Sequence, residues 1–224
     1  MRNDKAYGVK DIKSTGKGEI AMDRNVRDKD SERLFVAVKI PAKERAALSH
    51  TCGHLKSELS FAKWTHEEDY HITLQFLGDT AVSQIPALTA ALKKAAGGLS
   101  PFGLSVSNYG TFGVPSSPRV LWAGVRGDLD SLHELQQAVC AATLPLGFTG
   151  EERKYSPHIT LARKYRGEQP HFAERLRALQ LMDKESGEVV NNRDWSVDGI
   201  VLFATRMHKS PMYEIVENIT FFER

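Results

Sequence analysis

The tetrapeptide His-Ile-Thr-Leu occurs twice in this chain, beginning at His71 and at His158, 158 − 71 = 87 residues apart. Both copies sit in strand-like runs, Tyr70-His-Ile-Thr-Leu-Gln-Phe-Leu-Gly78 and Pro157-His-Ile-Thr-Leu-Ala-Arg163. Both follow a polar or turn-like segment, Glu67-Glu-Asp69 and Tyr155-Ser-Pro157. Strand side chains alternate between faces, so each histidine shares a face with the threonine two residues on, while isoleucine and leucine take the other. Each copy thus presents an imidazole beside a hydroxyl and anchors that surface to a core from behind. A fold for this chain must supply two matching strands.

The remaining pattern predicts what surrounds them. Leu34-Phe-Val-Ala-Val-Lys-Ile-Pro41 is a β-rich run whose ladder ends at Pro41. A helix is predicted over 43–60, with Ala46, Ala47, Leu55 and Leu59 among its buried positions. Further helices are predicted at about 83–97, 128–143 and 170–181, and strands near 102–107, 119–125, 196–205 and 212–222. The alternation lacks a regular βαβ rhythm, and neither GxGxxG nor GxxxxGK[ST] is present. The pattern predicts an α+β protein with mostly antiparallel sheets and helices on their outer faces. The connection at 144–156, carrying Pro145, Gly147 and Gly150, marks an expected break between two lobes. Residues 1–30 carry mixed charge and no patterned hydrophobes, so they are expected to be a flexible extension outside a domain formed by 31–224.

Composition excludes several classes. With 41% hydrophobic and 26% charged residues the chain is globular in character. Thirty Lys+Arg against 28 Asp+Glu leave a net charge of +2, too little for a protein that coats long nucleic acid, so any such contact is expected to be local. No apolar run approaches the roughly 20 residues that span a bilayer, and the N-terminus has no apolar signal region. The expectation is a cytoplasmic protein without membrane contact, its two cysteines, Cys52 and Cys140, reduced.

Two His-x-Thr strands side by side across a groove would converge two imidazoles and two hydroxyls on one small volume. Phosphoryl transfer without a metal needs such a set: one group to take a proton from the nucleophile, one to protonate the leaving oxygen, and donors for the phosphate oxygens. Histidine titrates near neutrality, so a pair can hold one neutral and one protonated ring. The bland alternative makes each histidine a satisfied half-buried residue and each threonine an ordinary strand former. Two identical copies in matching contexts favour the chemical reading.

These features, with Arg33-Leu-Phe-Val-Ala-Val38, Lys63-Trp64, His71-Ile-Thr-Leu-Gln-Phe-Leu-Gly-Asp79, Phe112-Gly113, Arg119-Val-Leu-Trp-Ala-Gly124, Ser156-Pro-His-Ile-Thr-Leu-Ala-Arg163 and Ile200-Val-Leu-Phe203, resemble the two-histidine phosphoesterases. Within that superfamily the chain looks like the bacterial and archaeal RNA 2′,3′-cyclic phosphodiesterases, also described as 2′–5′ RNA ligase-like proteins. The resemblance covers about residues 33–222; the N-terminal extension and the polar stretch Met182–Arg193 depart from it without touching a motif. It implies a bilobal, pseudo-twofold fold with one His-x-Thr strand per lobe facing a central cleft. It implies RNA ends or small cyclic nucleotides as partners, no cofactor, and a monomer. It further implies that His71 protonates the departing 3′-oxygen, that His158 activates water, and that Thr73 and Thr160 hold the non-bridging oxygens with Arg163 adding charge. Ligation of 2′–5′ ends at the same site, or nucleotide binding without turnover, are the competing readings.

Several residues carry two readings each. Arg163 stands five residues after His158, where the family often has a phosphate-binding arginine, yet strand parity puts it on the opposite face. Arg153, Lys154, Lys164 and Arg166 form a basic cluster that is either a solvated face or an RNA-backbone contact. Phe76 stands at the matching place after His71 and either stacks on a base or packs in the core, and Tyr155 and Trp64 share that choice. His50 and His54 share a helix face but have no further ligand at zinc-like spacing, so no metal site is expected. His66, His133, His171 and His208 are expected at the surface.

Overall fold

A computed structural model describes residues 30–114, 116–167, 172–185 and 194–221. Its framework is a nine-stranded, antiparallel sheet. In chain order the strands are β1 (Ser31–Lys39), β2 (Phe61–Trp64), β3 (His71–Ala81), β4 (Phe102–Val114), β5 (Ser117–Gly127), β6 (His158–Tyr165), β7 (Trp195–Val197), β8 (Gly199–Thr205) and β9 (Tyr213–Thr220). The helices are α1 (Ala42–Glu58), α2 (Ile85–Ala96), α3 (Leu129–Thr143) and α4 (Phe172–Glu185). The spatial order is β7-β4-β5-β6-β3-β1-β8-β9, with β2 beside β6.

The two sheets expected from the sequence are the halves of this array, β7-β4-β5-β6 and β3-β1-β8-β9. They meet where β3 pairs with β6 through a single residue pair, Ile72 with Ile159. Both are the second residue of their tetrapeptide. Antiparallel pairing of equivalent residues puts a local twofold axis between them, normal to the sheet. Carried one residue either way, the register sets His71 opposite Thr160 and Thr73 opposite His158.

One face of the sheet carries the main core, where Leu34, Val36 and Val38 of β1 join Ile72, Leu74, Ile159 and Leu161. Helical stripes close it: Leu48 and Leu55 of α1, Leu88 and Leu92 of α2, and Leu132, Leu135 and Val139 of α3. Ala46 is exposed, and Leu48 and Cys52 take its expected place in the core. The opposite face carries a smaller apolar cluster, Phe35, Ala37, Val201 and Phe203, with Tyr213 packed against it. β1 and β8 are therefore apolar at consecutive positions because both their faces are covered.

Three sequence expectations change. Segment 144–156 lies within one half, since the strands it separates, β5 and β6, pair with each other. The chain crosses between halves at α1, at the 3₁₀ turn Glu67–Asp69, at α2 and at Asp198. Proline and glycine mark where local periodicity stops, whereas strand partners are chosen by non-local pairing. The strand expected over 196–205 is two, divided at Asp198, because Trp195–Val197 pairs with β4 whereas Gly199–Thr205 pairs with β9 and β1 in the other half. The β4–β5 hairpin extends through Asn108, Gly110 and Gly113, residues of low strand propensity, because its register is held from β5. The N-terminal extension, His171 and most of the polar stretch 182–193 lie outside the described residues or side chains.

Candidate active site

His71 opens β3 and His158 opens β6, and the first six residues of the two strands share one burial pattern. His71 Nδ1 lies 2.7 Å from the Asp69 carbonyl oxygen, and His158 Nδ1 lies 2.8 Å from that of Ser156. A carbonyl can only accept, so each Nδ1 carries the proton and each neutral ring keeps its Nε2 lone pair. Two residues back along the chain, the same backbone atom thus orients both imidazoles. His71 Nε2 lies 3.0 Å from Thr73 Oγ1, within reach of its hydroxyl.

A matched irregularity follows each motif. In β3, Thr73 pairs with Ala37 and Gln75 with Val36, leaving Leu74 as an extra residue. In β6, Thr160 pairs with Trp122 and Ala162 with Leu121, leaving Leu161. Each bulge puts two consecutive residues into the core and returns the next to the histidine face. Five residues then behave as four. Arg163 therefore reaches the face that parity denied it, with Nη2 3.5 Å from Thr160 Oγ1. Phe76, its twofold counterpart, returns to the same face, 56% exposed and with its ring centroid 6.0 Å from Phe35.

Aromatic side chains wall both histidines. The His71 ring centroid lies 4.9 Å from Phe35, 5.1 Å from Tyr213 and 6.1 Å from Phe203. His158 lies 4.9 Å from Phe112 and 6.3 Å from Trp122. Removal from water disfavours the imidazolium and lowers both pKa values, that of His71 to about 4. The carbonyl bonds act in the other direction, and the positive charge of Arg163 pushes both rings further down. Both shifts favour the neutral ring at pH 7.

Asp69, which the sequence reading did not single out, ties this wall together. Its buried carboxylate accepts the N–H groups of Met212 and Tyr213 at 3.0 Å, while its own carbonyl holds His71. Phe35, Phe203, Phe112 and Trp122 were also not assigned to the site; the continuous apolar runs of β1 and β8 were the available sign of a second covered face.

Other expectations fall away from the cleft. Tyr155 packs on the α3 side, its ring 5.4 Å from His133 and its hydroxyl buried, so core packing wins over base stacking. His133 is half-buried, with its ring against Tyr155; His66 and His208 are exposed. Trp64 packs against the main core. Arg153, Lys154, Lys164 and Arg166 are exposed, Arg153 being paired with Glu151. The His50 and His54 rings lie 5.3 Å apart, and among the described residues no three His, Cys, Asp or Glu side chains converge as metal ligands would. Cys52 and Cys140 are not joined in a disulfide. No helix among the described residues is long and apolar enough to cross a membrane.

Comparison with known proteins agrees with this geometry. A Geobacillus stearothermophilus protein named RNA 2′,3′-cyclic phosphodiesterase is 40% identical over 182 residues, 81% of this chain and 55% of that protein. The chain thus spans about half of that relative's length. A Bacillus subtilis protein of the same name is 36% identical over 156 residues, 70% of this chain and 79% of the relative. The crystal structure of TT0787 from Thermus thermophilus superposes with a TM-score of 0.65 at 25% identity, covering 86% of this chain and 100% of that one. E. coli LigT in apo form shares the fold, with a TM-score of 0.63 at 23% identity over 87% and 99% of the two chains. The family described as the 2′-5′ RNA ligase superfamily matches residues 45–206, which include both histidine strands, and the chain belongs to that family.

Proposed function

We propose that this protein hydrolyses RNA 2′,3′-cyclic phosphate ends to 2′-phosphomonoesters, with His71 and His158 as its acid–base pair. The observation that carries the reading is the pair of pseudo-equivalent imidazoles on one sheet face, each with Nδ1 committed to a carbonyl and Nε2 left for chemistry.

Water attacks phosphorus in line with the departing 3′-oxygen, so base and acid stand on opposite sides of the phosphate. Twofold-related histidines satisfy that requirement. His158 Nε2 takes the proton from water as the new P–O bond forms. His71, protonated at Nε2, passes its proton to the 3′-oxygen as the old bond breaks. The symmetry leaves the two roles interchangeable, and this assignment follows the family resemblance. Burial favours the neutral form of both rings, and the phosphate anion supplies the charge that draws one proton onto the pair. Thr73 and Thr160 donate to the non-bridging oxygens, and Arg163 adds charge beside Thr160. Phe76 offers an exposed ring for a base. These groups all come from one chain, so a monomer in the cytoplasm suffices, and no step requires a metal or cofactor.

The test is incubation of pure protein with an oligonucleotide ending in a 2′,3′-cyclic phosphate, in the presence of a chelator, with phosphorus NMR of the product. A 2′-phosphate is expected. A 3′-phosphate would exchange the acid and base assignments, and turnover that needed an added divalent ion would overturn the metal-free mechanism. Ligation of 2′–5′ ends to a cyclic phosphate would use the same proton transfers in the same direction, with a 5′-hydroxyl attacking in place of water and the 3′-oxygen departing, and the family name makes that assay worth running on the same preparation.

A further inference from the structure

Lys63 stands directly opposite Arg163 where β2 pairs with β6. Directly opposed residues of an antiparallel pair project from the same face, and like charges so placed repel. Both side chains are exposed, and among the described residues neither is ion-paired. Some cations elsewhere find carboxylates, as Arg45 does Glu68, Lys93 does Glu217 and Arg206 does Glu214, whereas these two face each other. Arg163 is the member of the couple nearer the histidines: its charge acts on both rings and it reaches the Thr160 hydroxyl.

The twofold axis makes its position informative. At the end of the cleft related to Arg163 by symmetry stands Phe76, an exposed aromatic ring. The floor of the cleft is therefore symmetric at its centre and asymmetric at its ends, apolar at one and doubly cationic at the other. A 2′,3′-cyclic end has a matching asymmetry, because the base departs from the ribose on the 2′ side and the 5′-phosphodiester on the 3′ side.

We propose that Lys63, with Arg163 between it and the reacting phosphate, forms a subsite for the phosphodiester immediately 5′ of the cyclic end. The consequence is a preference for oligonucleotide ends over mononucleoside cyclic phosphates. The proposal rests on the hydrolysis reading above. Lysine suits the task, since a compact charge on a flexible stem tolerates any base sequence and a range of backbone angles. Arg163 stays with the central phosphate and Lys63 takes the next, which removes the repulsion between them by placing an anion within reach of both.

The experiment compares ligands that differ by one charged linkage. Affinity is measured by calorimetry for a nucleoside 2′-phosphate, for a dinucleotide with a 3′-terminal 2′-phosphate, and for that dinucleotide with a neutral methylphosphonate linkage. Turnover is measured for the corresponding cyclic phosphates. In the wild-type protein the charged dinucleotide should bind and react about three- to tenfold better than either of the others, the range for one exposed charge-assisted contact. Lys63→Gln should remove most of that preference, and Lys63→Arg should retain it. The salt dependence of dinucleotide binding should become shallower by about 0.7 in log–log slope, one single-strand phosphate contact. Equal losses on all three ligands, or no difference between charged and neutral linkages, would overturn the subsite. Binding preferences as stated but no turnover of any cyclic phosphate would uphold the subsite and sink the hydrolysis reading.

Discussion

The two histidines are held in the same way. Each gives its Nδ1 proton to the carbonyl two residues back, which aims the unprotonated Nε2 away from the backbone. Replacing either by alanine should lower kcat by about 10²–10⁴, the contribution of one positioned acid or base. The double variant should be little worse than either single one, because the pair transfers protons as a unit. Steady-state kinetics on folded variants checks this, and retention of more than about a tenth of the wild-type rate by either would refute the assignment. Burial makes a further prediction about pH. Both rings have lowered pKa values, so the bell of kcat/KM, which reports the free protein, should centre below the ordinary histidine value of about 6.5. Bound phosphate raises both, so the kcat profile should lie at higher pH. Stability follows the same sign. Between about 4 and 6.5 the unfolded chain binds more protons at His71 than the folded one, so stability present above pH 6.5 is lost as the pH falls through that window. His71→Gln should lose less of its melting temperature on acidification than the wild-type protein does.

At the scale of elements, the site depends on irregularities in otherwise ordinary strands. The extra residues Leu74 and Leu161 return Phe76 and Arg163 to the cleft, and nothing in a period-two pattern announces them. The sequence placed the strands, the tetrapeptide faces and the amphipathic helices, since those are written in local periodicity. It missed β2, which is four residues long and carries one apolar position fully inside, Phe61. The β4–β5 hairpin shows the same dependence on a neighbour. Gly110 pairs with Trp122, and a Cβ there would lie 2.2 Å from the indole ring. Trp122 in turn flanks His158. Gly110→Ala should cost about 1–3 kcal/mol, as overpacking does, and should also lower kcat by displacing the indole. The denaturant midpoint and kcat measured together test both parts, and a stable variant with unchanged kcat would show that Trp122 has no bearing on His158.

For the whole molecule, the decisive feature is how little joins the two halves of the sheet. β3 and β6 share a single residue pair, Ile72 with Ile159, and both side chains are wholly buried. Ile159→Ala should cost about 2–5 kcal/mol as a cavity. Leu92→Ala in α2 makes a similar cavity away from the seam, Leu92 also being wholly buried. If the seam sets the distance between the histidines, Ile159→Ala will reduce kcat well beyond Leu92→Ala at conditions where both are folded. Equal kcat values would show that the halves are held in register by their helices instead. Removal of residues 1–29, with Asp30 kept because its carbonyl accepts the Val82 N–H, should leave melting temperature and kcat nearly unchanged. A large fall in melting temperature would show that the removed segment packs on the domain.

By itself the sequence determined the repeated strands, the pairing of imidazole with hydroxyl on one face of each, the α+β class and the family resemblance. Those follow from side-chain alternation and residue type, which act within a few positions. Tertiary structure alone decided which strands became neighbours, that equivalent isoleucines meet on a twofold axis, and that Tyr155 turns to α3 while Arg163 turns to the cleft. The tautomer of each histidine was also settled there, by a carbonyl the fold presents to it. The physical reason is the same throughout: a bulge, a cross-strand register and a buried hydrogen bond are properties of two segments together, and neither segment encodes its partner.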